Sequence, residues 1–133
     1  MPTYARTQIL MGAYHASDPD NSNMAYLFIP AGKEVDVFDA QVMIEGKSDA
    51  AGANVEFVNI VTDDLYCSGA VGGTNGGTNN TNAQMTVDGT NATAFPFTIA
   101  SSTSDRMFGL RIDDAGTSGI YGAMVRHSAI DLD

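Results

Sequence analysis

The chain has 133 residues, 44% of them hydrophobic, which fits one domain with its own core and argues against a disordered chain. Six Lys and Arg stand against 16 Asp and Glu, a net charge of −10. That argues against nucleic acid, whose counterions must be displaced by cations, and against an anionic membrane surface.

The single cysteine, Cys67, leaves no intrachain disulfide and no four-cysteine zinc site. No apolar run approaches the roughly 18 residues of a spanning helix. The start, Met-Pro-Thr-Tyr-Ala-Arg, lacks the basic-then-apolar order of a signal peptide. The expectation is a soluble, acidic, single β-sandwich domain over 1–133.

Short apolar stretches alternate with Gly, Asn, Thr, Ser and Asp, and no window carries a helical stripe, so the pattern is all-β. The first strand is expected over 4–12 and the second over Met24–Ile29. The third spans Val35–Ile44, with Phe38, Ala40, Val42 and Ile44 on one face and Asp39, Gln41 and Glu45 on the other. Val35 and Val37 fall on the opposite phase, which predicts a bulge or twist near residue 37. The fourth, Asn54–Thr62, is apolar on both faces and is expected at the centre or at an interface. The fifth is Ala83–Asp88, with Ala83, Met85 and Val87 inward. The sixth is Thr93–Ile99, where Pro96 marks an edge or bulge. The seventh, Arg106–Ile112, points Phe108, Leu110 and Ile112 inward, and the eighth is Ile120–Arg126.

Turns are expected at Pro30-Ala31-Gly32-Lys33, Asp88-Gly89-Thr90-Asn91 and Asp113-Asp114-Ala115-Gly116. Residues 16–23 and 45–53 read as loops. Ser68–Asn82 reads as a low-complexity loop, either a surface segment or one that orders on a neighbouring subunit. Eight strands without helices leave an antiparallel jelly roll or an immunoglobulin-like sandwich. The absence of Trp and of a Cys…Trp…Cys pattern favours the eight-stranded jelly roll.

Little in these residues points to chemistry. Asp18-Pro19-Asp20-Asn21-Ser22-Asn23 alternates oxygen ligands, but a calcium loop would need Gly where Asn23 stands and Glu where Ile29 stands. Asp63-Asp64 and Asp113-Asp114 read as solvated turn pairs. His15 and His127 sit in no catalytic spacing, and Cys67 has no basic neighbour to activate it. Asn79-Asn80-Thr81 and Asn91-Ala92-Thr93 match a glycosylation sequon by composition. Tyr4, Tyr14, Tyr26, Tyr66 and Tyr121 are the available platforms for a sugar. The expectation is a non-enzymatic protein with no cofactor and no metal.

Residues 24–44 read Met-Ala-Tyr-Leu-Phe-Ile-Pro-Ala-Gly-Lys-Glu-Val-Asp-Val-Phe-Asp-Ala-Gln-Val-Met-Ile. An apolar strand, a Pro-Ala-Gly turn and an alternating strand resemble the opening of small head decoration (cement) proteins of tailed bacteriophages. The resemblance implies a jelly-roll homotrimer on the outer surface of the virion, at local three-fold positions. There it would clamp adjacent major capsid proteins without catalysis. On that reading Pro2, Tyr4, Arg6 and Gln8, with turns at one end of the sandwich, would touch the shell. Strand 54–62, through Val55, Phe57, Asn59 and Val61, would contribute to the trimer. The alternative is a carbohydrate-binding module of a phage tail or adhesin.

Overall fold

The computed structural model describes residues 7–16, 23–45, 53–71, 82–113 and 119–130. Among them are ten strands and no helix: β1 (Thr7–Ala16), β2 (Asn23–Ile29), β3 (Val35–Glu45), β4 (Ala53–Asn59), β5 (Leu65–Val71), β6 (Asn82–Gln84), β7 (Thr86–Val87), β8 (Phe97–Ile99), β9 (Arg106–Asp113) and β10 (Gly119–Ser128).

The strands form two five-stranded sheets. One runs β1-β10-β3-β6, with β8 also paired to β3; the other runs β2-β9-β4-β5-β7. Every pairing is antiparallel. The partners nest: β1 with β10, β2 with β9, β3 with β6 and β8, β4 with β5. Successive nested pairs fall in alternate sheets, as when a long antiparallel ribbon is rolled into a sandwich. That is the jelly roll.

Between the sheets lie Ile29, Val35, Val37, Val42, Val55, Phe57, Ile99, Phe108, Leu110, Ile112 and Val125, all essentially inaccessible. Phe57 stacks on Phe108 at 5.2 Å between ring centroids, and Tyr66 meets Phe108 edge-on at 5.2 Å. The alternation expected for Arg106–Ile112 therefore holds.

The third strand shows how phase decides register. Asp39 pairs with Arg126 and Val37 with His127, so Phe38 is the extra residue of a β-bulge. The bulge returns Val35 and Val37 to the side of Ala40 and Val42, and all four are buried. Phe38 is only half-buried and does not belong to the core, unlike the sequence expectation.

Three other expectations are corrected. Ser68–Val71 belongs to β5 rather than to a loop; the rest of the Gly/Asn/Thr segment lies outside the described residues or, at Asn82, begins β6. Ala83–Asp88 is not one strand. Its first half pairs with β3 in one sheet and its second with β5 in the other, and the chain crosses at Met85, whose amide donates to the Ala40 carbonyl at 2.8 Å. Of Thr93–Ile99 only Phe97–Ile99 is extended, pairing at the edge as β8.

The edges β1 and β2 lie side by side and close one flank of the sandwich. Their approach is set by Gly12, where a Cβ would fall 2.7 Å from Met24 Cβ and 2.9 Å from its carbonyl oxygen.

Candidate interaction surfaces

The strand registers gather Thr7, Ser128 and the segments 30–34, 60–64, 88–96 and 100–105 at one end of the sandwich. These segments are tied to one another. Ala31 donates its amide to Asp105 Oδ1 at 2.8 Å and Gly32 donates to the Ser102 carbonyl at 2.8 Å. Arg106 spans the same junction, donating through Nη2 to the Lys33 carbonyl at 2.8 Å and through Nη1 to the Ala100 carbonyl. Gly32 and Gly89 sit at φ of 80° and 89°, in the left-handed region that turns need and glycine adopts cheaply.

The 88–92 turn is held by one carboxylate. Asp88 accepts from the amides of Ala92 at 2.9 Å and Asn91 at 3.1 Å, while Asn91 Nδ2 reaches across to the Leu65 carbonyl at 2.8 Å. Desolvation raises the Asp88 pKa, but the hydrogen bonds from Ala92, Asn91 and Thr90 together outweigh it and hold the carboxyl below its ordinary value. Asn91, half of a sequon match, is thus engaged in the turn.

The β4–β5 turn is organised by Asn59. Its Oδ1 accepts from the Val61 amide at 3.0 Å, its carbonyl accepts from Asp63 at 2.8 Å, and its own amide donates to the Asp64 carbonyl at 2.9 Å. Asp63 takes φ 60° there. Arg111 braces the turn from β9, donating to Asp63 at 2.8 Å and to Glu56 at 3.3 Å. Burial, then the nearby Asp113, push the Glu56 carboxyl above its ordinary value, against the pull of Arg111.

Cys67 is buried beside Met85, Sγ to Sδ 3.8 Å, and burial pushes its thiol up to about 12. It therefore stays protonated and serves packing. His127 is buried, with Nδ1 2.7 Å from the Ser128 carbonyl. Asp63 and Asp64 lie together, but among the described residues no group of three His, Cys, Asp or Glu side chains converges as a metal site would. Asp18, Asp20 and Asp114 lie outside the described residues, as do Tyr4 and the sequon at 79–81; Tyr14 and Tyr121 are placed by backbone pairing alone.

The residues expected at interfaces are distributed unevenly. Pro2, Tyr4 and Arg6 lie outside the described residues, and Gln8 is exposed on β1, opposite His127. Val55 and Phe57 are inaccessible, because β4 turns that face into the protomer's own core. Asn59 is buried and its side-chain oxygen is engaged by the turn amides of Val61 and Thr62. Of the four residues named for strand 54–62, only Val61 projects into solvent, at 79% exposure. The strand is nonetheless buried on both faces, since Val58 on the outer side is inaccessible beside Gly109.

Among the described residues the other exposed large apolar side chains form two patches, which the sequence pattern did not single out. On the outer face of β1 stand Ile9 and Met11, 52% and 67% exposed. On the outer face of β2 stand Tyr26 and Phe28, 56% and 49% exposed. The alternation of β2 carries a signal for the second patch: with Leu27 and Ile29 inward, Tyr26 and Phe28 must face out.

No protein-family model matches the chain, and neither does any curated protein. In fold it is similar to a chain of the cyanophage Pam1 capsid asymmetric unit, with 12% identity, a TM-score of 0.50, and coverage of 96% of this chain and 90% of that one. A chain of the infectious bursal disease virus VP2 subviral particle is 14% identical, with a TM-score of 0.41 over 92% of this chain and 32% of that one. A chain from the Gx strain of the same virus is 13% identical, with a TM-score of 0.41 over 94% and 32%. The chain thus spans about a third of the length of those two chains. At these identities the likeness is one of fold.

Proposed function

We propose that the chain is a decoration protein of an icosahedral phage head, binding the outer surface of the shell as a homotrimer and stabilising contacts between major capsid proteins. The observation that carries this reading is a jelly roll shared, over nearly the full length of both, with a chain of a phage capsid asymmetric unit. Fold alone does not make function, so the site must agree. It does so in character: tied turns at one end form a firm contact surface, exposed apolar patches need partners, and buried Cys67 and His127 have structural roles. Gln8 and the start of β1 lie at the end that carries those turns, where the shell would be met.

The mechanism is mass action. A protein that binds only the assembled, expanded shell stabilises it by its binding free energy. Three copies on a three-fold axis multiply weak contacts into avidity. A surface of net charge −10 suits an outward position and keeps the free protein soluble.

The trimer is tested by light scattering of the purified protein at micromolar concentration. The expected mass is about 42 kDa, three times 13.9 kDa. A mass near 13.9 kDa at every concentration would remove the preformed homotrimer from the proposal.

A further inference from the structure

We infer that the trimer, on the reading just proposed, closes by a head-to-tail contact in which the β1 patch of one copy docks on the β2 patch of the next. A ring built by a three-fold axis needs two different surfaces on each protomer, one for each neighbour. The five exposed large apolar side chains of the described residues divide into two such surfaces.

The first is on the outer face of the β1 sheet. Ile9 lies opposite Arg126 and Met11 opposite Met124, so the four side chains share that face. The second is on the outer face of the other sheet. Tyr26 lies opposite Gly109, Phe28 opposite Met107, and Ile60 donates its amide to the Met107 carbonyl at 3.0 Å. Val61 follows in the turn. Tyr26, Phe28, Met107, Ile60 and Val61 thus form one continuous strip. The patches flank the β1–β2 seam on opposite faces of the sandwich, so one protomer cannot cover one patch with the other.

Charge selects a second copy as occupant. Two chains of net charge −10 repel through most of their surface. The β1 patch is bordered by Arg126, 41% exposed and 3.4 Å from Asp39, so its rim is close to neutral. The β2 strip is bordered by the acidic turn, where Asp63, 72% exposed, is paired with Arg111 at 2.8 Å and the exposed Asp64 follows it. Docking the first on the second brings the Arg126 guanidinium to the turn that carries Asp64 and brings together apolar surface that carries no charge. Docking either patch on its own copy gains no such opposition.

The test uses the full chain. Met11→Glu breaks the first patch and Phe28→Glu the second, and Met11→Ser and Phe28→Ser repeat the test without added charge. Circular dichroism and melting temperature establish that each variant folds. At concentrations where the wild type is a trimer, each variant alone is expected at 13.9 kDa. An equimolar mixture of the two keeps one intact contact and is expected to regain a species of twice that mass at higher concentration. Folded variants that remain trimeric overturn the docking while leaving the trimer standing. A single variant that still dimerises by itself overturns the head-to-tail arrangement. A wild type that stays monomeric overturns the docking together with the trimer, and leaves shell binding to its own test.

Discussion

Phe57→Ala is expected to destabilise the protomer by about 3–5 kcal/mol, the range for removing a buried aromatic ring and leaving a cavity. Phe57 is inaccessible, stacks on Phe108, and reaches the centre of the core from β4, the strand between β9 and β5. Phe108 is also met edge-on by the Tyr66 ring, so the hole cannot close without shifting the rings of the neighbouring strands β9 and β5. With a urea slope of about 1–3 kcal/mol/M, the unfolding midpoint should fall by on the order of 2 M. Urea titration followed by circular dichroism reads this directly. A loss below about 1 kcal/mol, accompanied by a fall in the solution mass, would move Phe57 from the core to a subunit interface.

Gly69→Ala is expected to cost about 1–3 kcal/mol, because the added methyl group overpacks a closed interior. Gly69 is on β5, and its missing Cβ is what lets β3 of the opposite sheet approach. A methyl group there collides with Val42 Cγ1, lies 3.3 Å from Val42 Cβ and 3.2 Å from Met85 Cγ. Met85 can yield by rotation, but Val42 is β-branched and has few rotamers to move to. Val42→Ala removes the obstacle. The double variant should therefore lose at least 1 kcal/mol less than the sum of the two single losses, as contacting residues do in a mutant cycle. Additive losses would show that the two sheets do not meet at this pair.

These two sites also show what the residues alone make legible. The alternation in Arg106–Ile112 and the phase slip between Val37 and Ala40 are local, and both translate directly into structure: an inward row and a bulge at Phe38. β5 is not legible in that way. Its inward positions are Cys67 and Gly69, small because Met85 and Val42 of neighbouring elements already fill the space. Local reading takes such a strand for loop, since the reason for its composition lies in another sheet. The crossing at Met85 is hidden for the same reason. A continuous apolar alternation over Ala83–Asp88 does not reveal that its halves pair with different sheets.

Strand 54–62 was expected at the centre or at an interface, and Val55 and Phe57 take the first of these places, in the protomer's own core. An apolar strand with two buried faces reads as one that meets a neighbour. Here the second face is closed within the protomer, at Gly109, whose lack of a side chain leaves room for Ile60: a Cβ there would lie 2.8 Å from Ile60 Cγ2. Among the described residues the exposed large apolar side chains of strands are on β1 and β2, where the alternation alone assigns Ile9, Met11, Tyr26 and Phe28 outward once the inward phase is known.

The most direct measurement adds the purified protein to expanded phage heads assembled without it and follows co-sedimentation and the temperature of head disruption. The account predicts saturable binding at three copies per local three-fold position, no binding to unexpanded heads, and a raised disruption temperature. Protein that stays in the supernatant at saturating concentration, with head stability unchanged, would contradict it.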